Sequence, residues 1–170
     1  MTTVYTIGYE GTDIERFIQT LKIVGVRVVA DVRAVALSRK KGFSKTALKA
    51  RLEMEGISYL HFNDLGDPKD GREAARMGKY DKFRKIYSKH LSGRDAQTAL
   101  ATLRVTVKNA ATCLLCFERD PMVCHRSIVA QKLQTSGAKV FDLYGDHPSR
   151  YDNNSTKLPR NYSRESAAAA

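Results

Sequence analysis

The sequence contains no apolar run long enough to cross a bilayer, and only three of its 170 residues are cysteines. A membrane-spanning helix needs about 18 apolar residues in succession, so we expect none and no membrane partner. Residues 1–3 lead directly into a strand-like segment, without the basic start and cleavage site of a secretory signal, and we expect a cytoplasmic protein. The odd number of cysteines makes no disulfide framework, and a reducing compartment would keep them as thiols.

Acidic residues are also few relative to basic ones. The chain has 29 Lys and Arg against 18 Asp and Glu, which gives a formal net charge of +11. Such an excess attracts phosphate-bearing ligands through a long-range field, although it also arises as ordinary solvated surface. We therefore expect an anionic ligand, either a nucleotide or nucleic acid. The sequence does not indicate an oligomeric state.

Strand-like runs rich in Val, Ile and Leu alternate with segments of helical spacing, which is typical of βαβ units. We predict a single α/β domain over residues 1–145, with a mainly parallel open sheet of about five strands and helices on both faces, as in Rossmann-like or flavodoxin-like three-layer sandwiches. The predicted strands are residues 4–9, 26–32, 57–62, 111–117 and 139–144. Residues 146–170 form a polar tail that we expect to be poorly ordered.

Local signals predict where several helices begin. Thr12 or Asp13 is the expected N-cap of the first helix, Ser44 that of the second, and Ser127 opens the last. The stretch from Asp64 to Gly71 is too polar and too rich in glycine for regular structure. This stretch is therefore predicted to be a mobile flap, and the sequence leaves open whether residues 63–78 close over a ligand.

Ligands of open parallel sheets bind beyond the carboxyl ends of the strands. The segment after the fourth strand has the highest concentration of reactive side chains. Cys116 to Arg126 contains thiol, imidazole, carboxylate and guanidinium groups. A helix start at this point favours an anion and lowers the pKa of a thiol, so Cys124 is the candidate nucleophile and Glu118 a candidate acid or base. His125 and Arg126 are predicted to bind the anion.

The same residues also have structural interpretations. Free cysteines are commonly small buried apolar residues, and Cys124 fits that description equally well. Arg126 can instead bond a loop carbonyl, or pair with Glu118 or Asp31.

The second strand and the loops near it supply further candidates. Asp31 is a candidate catalytic residue, but Asp31 and Arg33 are equally suited to a buried ion pair, because burying either charge alone is costly. The basic loop that follows contacts phosphate in one interpretation and is merely solvated in the other. The anion-binding candidates outside the fourth strand exit are Tyr9, Arg33, Ser38, Arg39 and Lys45.

Metal and redox chemistry are alternatives for the cysteines. Cys116, Cys124 and His125 offer thiolate and imidazole ligands, but their spacing is not that of the usual paired-cysteine zinc site. We therefore assign no metal and no cofactor, and keep a Cys116–Cys124 redox pair as an alternative. Cys113 and Cys116 lie three positions apart on one strand, so they face opposite sides of the sheet and only one reaches the crevice.

Several ordered motifs together resemble a known family. They are Thr6–Gly11, Asp31–Arg33 followed by Ser38-Arg39, Phe43–Lys45, Tyr59–His61 before Leu65-Gly66, and Cys116–Glu118 leading to Cys124–Arg126. Over Val4 to Leu133 the chain resembles the domain of unknown function family 488. The resemblance implies an α/β fold but no activity. It groups the following positions as the family's signature: Asp31, Arg33, Ser38, Arg39, Glu118 and Cys124–Arg126. Ala36 stands where the family pattern has proline.

Three functions are compatible with these observations. The leading hypothesis is an enzyme acting on a phosphate-bearing substrate, with Cys124 or Glu118 carrying out covalent or acid-base steps. The second is a non-catalytic nucleic-acid-binding module. The third is a thiol redox or metal-responsive protein.

Overall fold

A computed structural model describes residues 2–152, which form a parallel sheet of five strands with helices on both faces. The strands are β1 (Thr3–Gly8), β2 (Val28–Asp31), β3 (Ser58–His61), β4 (Thr112–Cys116) and β5 (Lys139–Tyr144). Their order is β3-β2-β4-β1-β5, and each neighbouring pair runs parallel. The predicted three-layer α/β fold is confirmed.

Six α-helices of the described chain cover the two faces of the sheet. They are α1 (Ile14–Ile23), α2 (Lys45–Glu53), α3 (Lys69–Arg76), α4 (Tyr80–Leu91), α5 (Arg94–Asn109) and α6 (His125–Gln134). Phe17 of α1 and Leu48 of α2 share one apolar core with Ile7 of β1. Val4 of the same strand belongs to a second apolar core on the other face of the sheet, where it packs with residues of α3 to α6. The two residues face opposite sides because side chains alternate along a strand.

The helix starts follow the predicted capping chemistry in part. The Asp13 carboxylate accepts a hydrogen bond from the Arg16 amide at 2.9 Å, as an N-cap should. Ser44 occupies the N-cap position of α2, but its hydroxyl bonds the backbone of Ser38 instead. The last helix, α6, begins two residues before the predicted Ser127, with Cys124 as its N-cap.

The prediction that Asp64 to Gly71 has no regular structure is wrong, because a short 3-10 helix, Asn63–Leu65, and the first turn of α3 overlap this stretch. Gly71 and Ala74 are the buried residues of α3. A Cβ atom at Gly71 would lie 3.4 Å from Ile86 of α4, an ordinary van der Waals contact, so Gly71 belongs to the packed face between the two helices rather than to a turn. Composition alone did not distinguish a glycine within a helix from one in a turn.

The part of the predicted tail that the structure describes packs against the sheet. Tyr151 is fully buried in a 3-10 turn, Pro148–Tyr151, and its hydroxyl accepts a hydrogen bond from the Tyr144 amide at 2.7 Å. Residues 153–170 lie outside the described residues. None of the helices in residues 2–152 is long and apolar enough to cross a membrane.

Candidate functional site

A cleft of about 590 Å³ opens beyond the carboxyl ends of β1, β2 and β4. Each of these strand ends contributes to its lining, as parallel sheets favour. Two helices of the β3–β4 connection, α3 and α4, form a further wall. The lining includes Tyr9, Arg33, Val35, Leu37, Asp67, Arg72, Arg76, Tyr80, Phe83, Cys116, Phe117, Glu118, Cys124 and His125.

Two cysteines meet in the lining of this cleft. Cys116 is the last residue of β4, and Cys124 caps α6. Their Sγ atoms lie within bonding distance of each other. The loop between β4 and α6 folds back through a 3-10 turn, Pro121–Val123, and brings the two sulfurs together, as the redox pair considered from the sequence requires.

The third cysteine is separated from this pair. Cys113 is fully buried in the core on the side of α1 and α2. Burial raises the pKa of its thiol above the usual range, which makes it unreactive. The prediction that only one cysteine of β4 reaches the crevice is confirmed, and that cysteine is Cys116.

His125 turns one ring nitrogen toward the sulfur pair. Its Nε2 lies 2.6 Å from the Val32 carbonyl oxygen, which can only accept, so Nε2 carries the hydrogen. The other nitrogen, Nδ1, lies 3.8 Å from Cys124 Sγ and 4.0 Å from Cys116 Sγ. In the neutral ring, Nδ1 therefore presents a lone pair to this part of the cleft.

Glu118 also contacts the sulfur pair. Its Oε2 lies 2.7 Å from Cys116 Sγ. A bonded sulfur has no hydrogen to donate, so this contact is a hydrogen bond only when the carboxyl is protonated. Burial raises the pKa of Glu118, which favours that form.

Cys124 lies where a helix start stabilises negative charge. Its Sγ accepts a hydrogen bond from the Arg126 amide at 3.4 Å, in the first turn of α6. The free amides and the dipole of a helix N-terminus stabilise a thiolate at this position. Of the two sulfurs, Cys124 Sγ is the one that lies at a helix start.

Arg126 differs from the prediction, which placed a ligand anion on it. The residue is fully buried, and its guanidinium donates to the carbonyl oxygens of Glu118 and Arg119 and to the Thr6 hydroxyl. That hydroxyl donates in turn to Asp142 at 2.6 Å. Arg126 thus ties the loop after β4 to β1, which is the structural interpretation weighed from the sequence.

Asp31 and Arg33 form a buried ion pair. Asp31 is fully buried, accepts from Arg33 Nη2 at 2.7 Å and from its Nε at 2.9 Å, and also accepts from the Tyr59 hydroxyl at 2.5 Å. Although burial alone would lower the pKa of Arg33, the hydrogen bonds and charge of Asp31 raise it above its usual value. Asp31 does not line the cleft, in contrast to its predicted catalytic role, because its carboxylate is turned to Arg33 and Tyr59.

Among the remaining candidates, only Tyr9 lies in the cleft. Its ring stacks on Phe43 with centroids 4.5 Å apart. Ser38 is bonded to Ser44 and helps to close the basic loop on itself. Arg39 and Lys45 are exposed and do not line the cleft, so the structure does not bring them together with the cysteines.

The cleft residues on α3 and just before it are not among the site residues predicted from the sequence. Asp67, just before α3, and Arg72 and Arg76 within it all line the cleft. Arg72 Nη1 donates to the Asp67 carbonyl at 2.6 Å and lies 3.7 Å from its carboxylate. The available signal was the pair of small residues, Gly71 and Ala74, spaced by three as on one helix face.

The chain matches one known protein family over most of its length. The family model described as domain of unknown function DUF488 matches residues 13–133, which is most of the chain. No curated protein and no solved structure matches it. The match covers α1 to β4 and nearly all of α6, and therefore both cysteines of the cleft. The chain belongs to the DUF488 family.

Proposed function

We propose that this protein carries out thiol–disulfide exchange through Cys116 and Cys124. The observation that carries the proposal is a pair of sulfurs within bonding distance in the lining of an open cleft, with one of them at a helix N-terminus. Cys116 and Cys124 are only 2% and 3% exposed, so a substrate disulfide would reach their sulfurs from the cleft that both residues line. A cytoplasmic location is part of the proposal, since a reversible pair suits a reducing compartment better than a permanent bridge.

The exchange follows from the chemistry around each sulfur. The Cys124 thiolate attacks a substrate disulfide, a mixed disulfide forms, and one substrate thiolate leaves. The Cys116 thiol then gives its proton to the Glu118 carboxylate, which becomes the protonated carboxyl that can donate to the bonded sulfur, and Cys116 Sγ attacks Cys124 Sγ. The S–S bond of the pair closes and the second substrate thiolate leaves, so the substrate is reduced by two electrons and the protein is oxidised by two.

The proposal predicts a reversible change in the number of free thiols. Reduced protein equilibrated in glutathione buffers should lose two of its three thiols together and regain them at higher reduced glutathione. The measurement is the intact mass after alkylation. A Cys113→Ser variant is the control and should show the same two-thiol change, because Cys113 lies in the core. Three alkylated thiols at every ratio would contradict the proposal.

A second function, action on or binding of a phosphate-bearing ligand, is favoured by the arginines of α3. Arg72 and Arg76 lie on one cleft wall, and Arg76 is exposed. With the net charge of +11, this wall suits a nucleotide or nucleic acid. Here the anion would lie against α3, rather than at Arg126 as the sequence suggested.

This second function predicts a local effect of charge reversal. Arg76→Glu should weaken binding of a labelled single-stranded oligonucleotide several-fold and reduce the slope of log affinity against log salt by about 1. Lys139→Glu is the matched control. Lys139 is exposed at the amino end of β5, whereas the cleft lies beyond the carboxyl ends of the strands. Equal losses in both variants would show a general charge effect and count against this cleft as the binding site.

A further inference from the structure

We propose that, in the reduced protein, Cys116, Cys124 and Nδ1 of His125 bind a zinc-type divalent ion. The ligand atoms of these three buried residues lie within 4.8 Å of one another. Two thiolates and one imidazole are the donor set that zinc and similar borderline metals prefer. The inference goes beyond the proposed exchange reaction and rests on its premise that the bond between the two sulfurs opens on reduction.

The distances around His125 fit such an ion. A tetrahedral zinc, with bonds of about 2.3 Å to sulfur and about 2.0 Å to nitrogen, holds its ligand atoms roughly 3.5 to 4 Å apart. Nδ1 lies 3.8 Å from Cys124 Sγ and 4.0 Å from Cys116 Sγ. Only the two sulfurs must move apart, and reduction of their bond allows that movement.

The outer contacts of His125 have the arrangement found around metal-binding histidines. Such a histidine donates its other ring N–H to a carbonyl or carboxylate, which fixes both the tautomer and the ring orientation. Nε2 of His125 meets the Val32 carbonyl oxygen at 2.6 Å, and the ring packs against Tyr87 with centroids 5.4 Å apart. The lone pair of Nδ1 is therefore held toward the sulfurs before any ion binds.

The fourth position of the ion faces the cleft. The Asp67 Oδ1 atom lies 3.8 Å from Nδ1, and the Asp67 side chain is 13% exposed. Its negative charge favours a cation there, and Arg72 Nη1 lies 3.7 Å from the same carboxylate. Two cysteines and one histidine with a fourth position open to a cleft are the arrangement of zinc sites that accept a substrate or water.

Reduction of the sulfur pair precedes binding of the ion. A dithiol reductant supplies two electrons and two protons to the S–S bond and is itself oxidised to a disulfide. The divalent ion then replaces the two thiol protons, which pass to water. Oxidation of the pair would release the ion, so the two states exclude each other.

The test uses Co²⁺ as a spectroscopic probe on the full chain, reduced and kept free of oxygen. We expect one Co²⁺ per chain, with a thiolate-to-cobalt charge-transfer band and the strong visible bands of tetrahedral cobalt, all lost on adding Zn²⁺. Cys116→Ser, Cys124→Ser and His125→Gln should weaken binding by about 100-fold or more, since each removes a ligand. Cys113→Ser should bind as the unchanged protein does, and circular dichroism checks the folding of every variant.

Two outcomes separate this inference from the exchange reaction. Reduced protein that shows no charge-transfer band, yet still closes its disulfide reversibly in glutathione buffers, would overturn the metal site alone. Folded Cys116→Ser and Cys124→Ser variants that bind Co²⁺ as tightly as the unchanged protein would also overturn it. Cobalt binding by a pair that never closes its disulfide would support the metal site and contradict the exchange reaction.

Discussion

Replacing Arg126 with Met is expected to lower the free energy of unfolding by about 3 to 5 kcal/mol, the usual cost of removing one partner from a buried charged network. Arg126 is fully buried and donates to two carbonyl oxygens of the loop after β4 and to Thr6. Methionine fills a similar volume but donates nothing. The carbonyl oxygens of Glu118 and Arg119 would remain without the guanidinium, and the nearby Asp142 would lose its attraction.

Thermal unfolding measures this effect. The midpoint of Arg126→Met should fall by roughly 10 °C for a chain of this size. Arg84→Met is the matched control, because Arg84 lies exposed on α4 in an i,i+3 pair with Asp81, and such pairs contribute about 0 to 1 kcal/mol. If the two variants unfold at the same temperature, Arg126 is not the tie described here.

The largest functional effect is expected from replacing one cysteine of the pair at a time. In Cys116→Ser, a mixed disulfide between Cys124 and glutathione should accumulate, because no second thiol is present to resolve it. In Cys124→Ser, the remaining Cys116 should react at least about tenfold more slowly near pH 7, since thiolate character controls the rate.

The asymmetry has a structural cause. Cys124 Sγ accepts the Arg126 amide at the start of α6, whereas Cys116 Sγ lies 2.7 Å from the Glu118 carboxyl. An amide stabilises a thiolate, and a neighbouring carboxylate disfavours it. The rates are followed by mass spectrometry after oxidised glutathione is added. Equal rates, or a faster Cys116, would mean that the helix start does not activate Cys124.

The central strands were predictable from the sequence because they are largely apolar runs covered on both faces, and every residue of β4 is buried. The last strand, Lys139–Tyr144, has its predicted bounds. Helix α3 was not predictable in the same way. Its buried face consists of Gly71 and Ala74, so it carries no large apolar residues at helical spacing, and its other residues include charged ones.

The location of the cleft was also predictable from the sequence, but the roles of its residues were not. The carboxyl ends of parallel strands lie at one side of the sheet, so the sequence alone predicts Cys116, Glu118 and Cys124 at a crevice there. Whether Arg126 binds a ligand or a carbonyl depends on the fold of the loop after β4, which no local pattern encodes. The same loop decides that the two cysteines meet, and α3 brings Asp67 to the same cleft.

The most direct test of the account is to locate the bond that forms when reduced protein is oxidised by glutathione. Proteolysis and mass spectrometry of the monomer should recover a peptide containing Cys116 joined to one containing Cys124, with Cys113 unmodified, and a dithiol should release the two peptides. Oxidised monomer in which Cys116 and Cys124 are never joined would contradict the account.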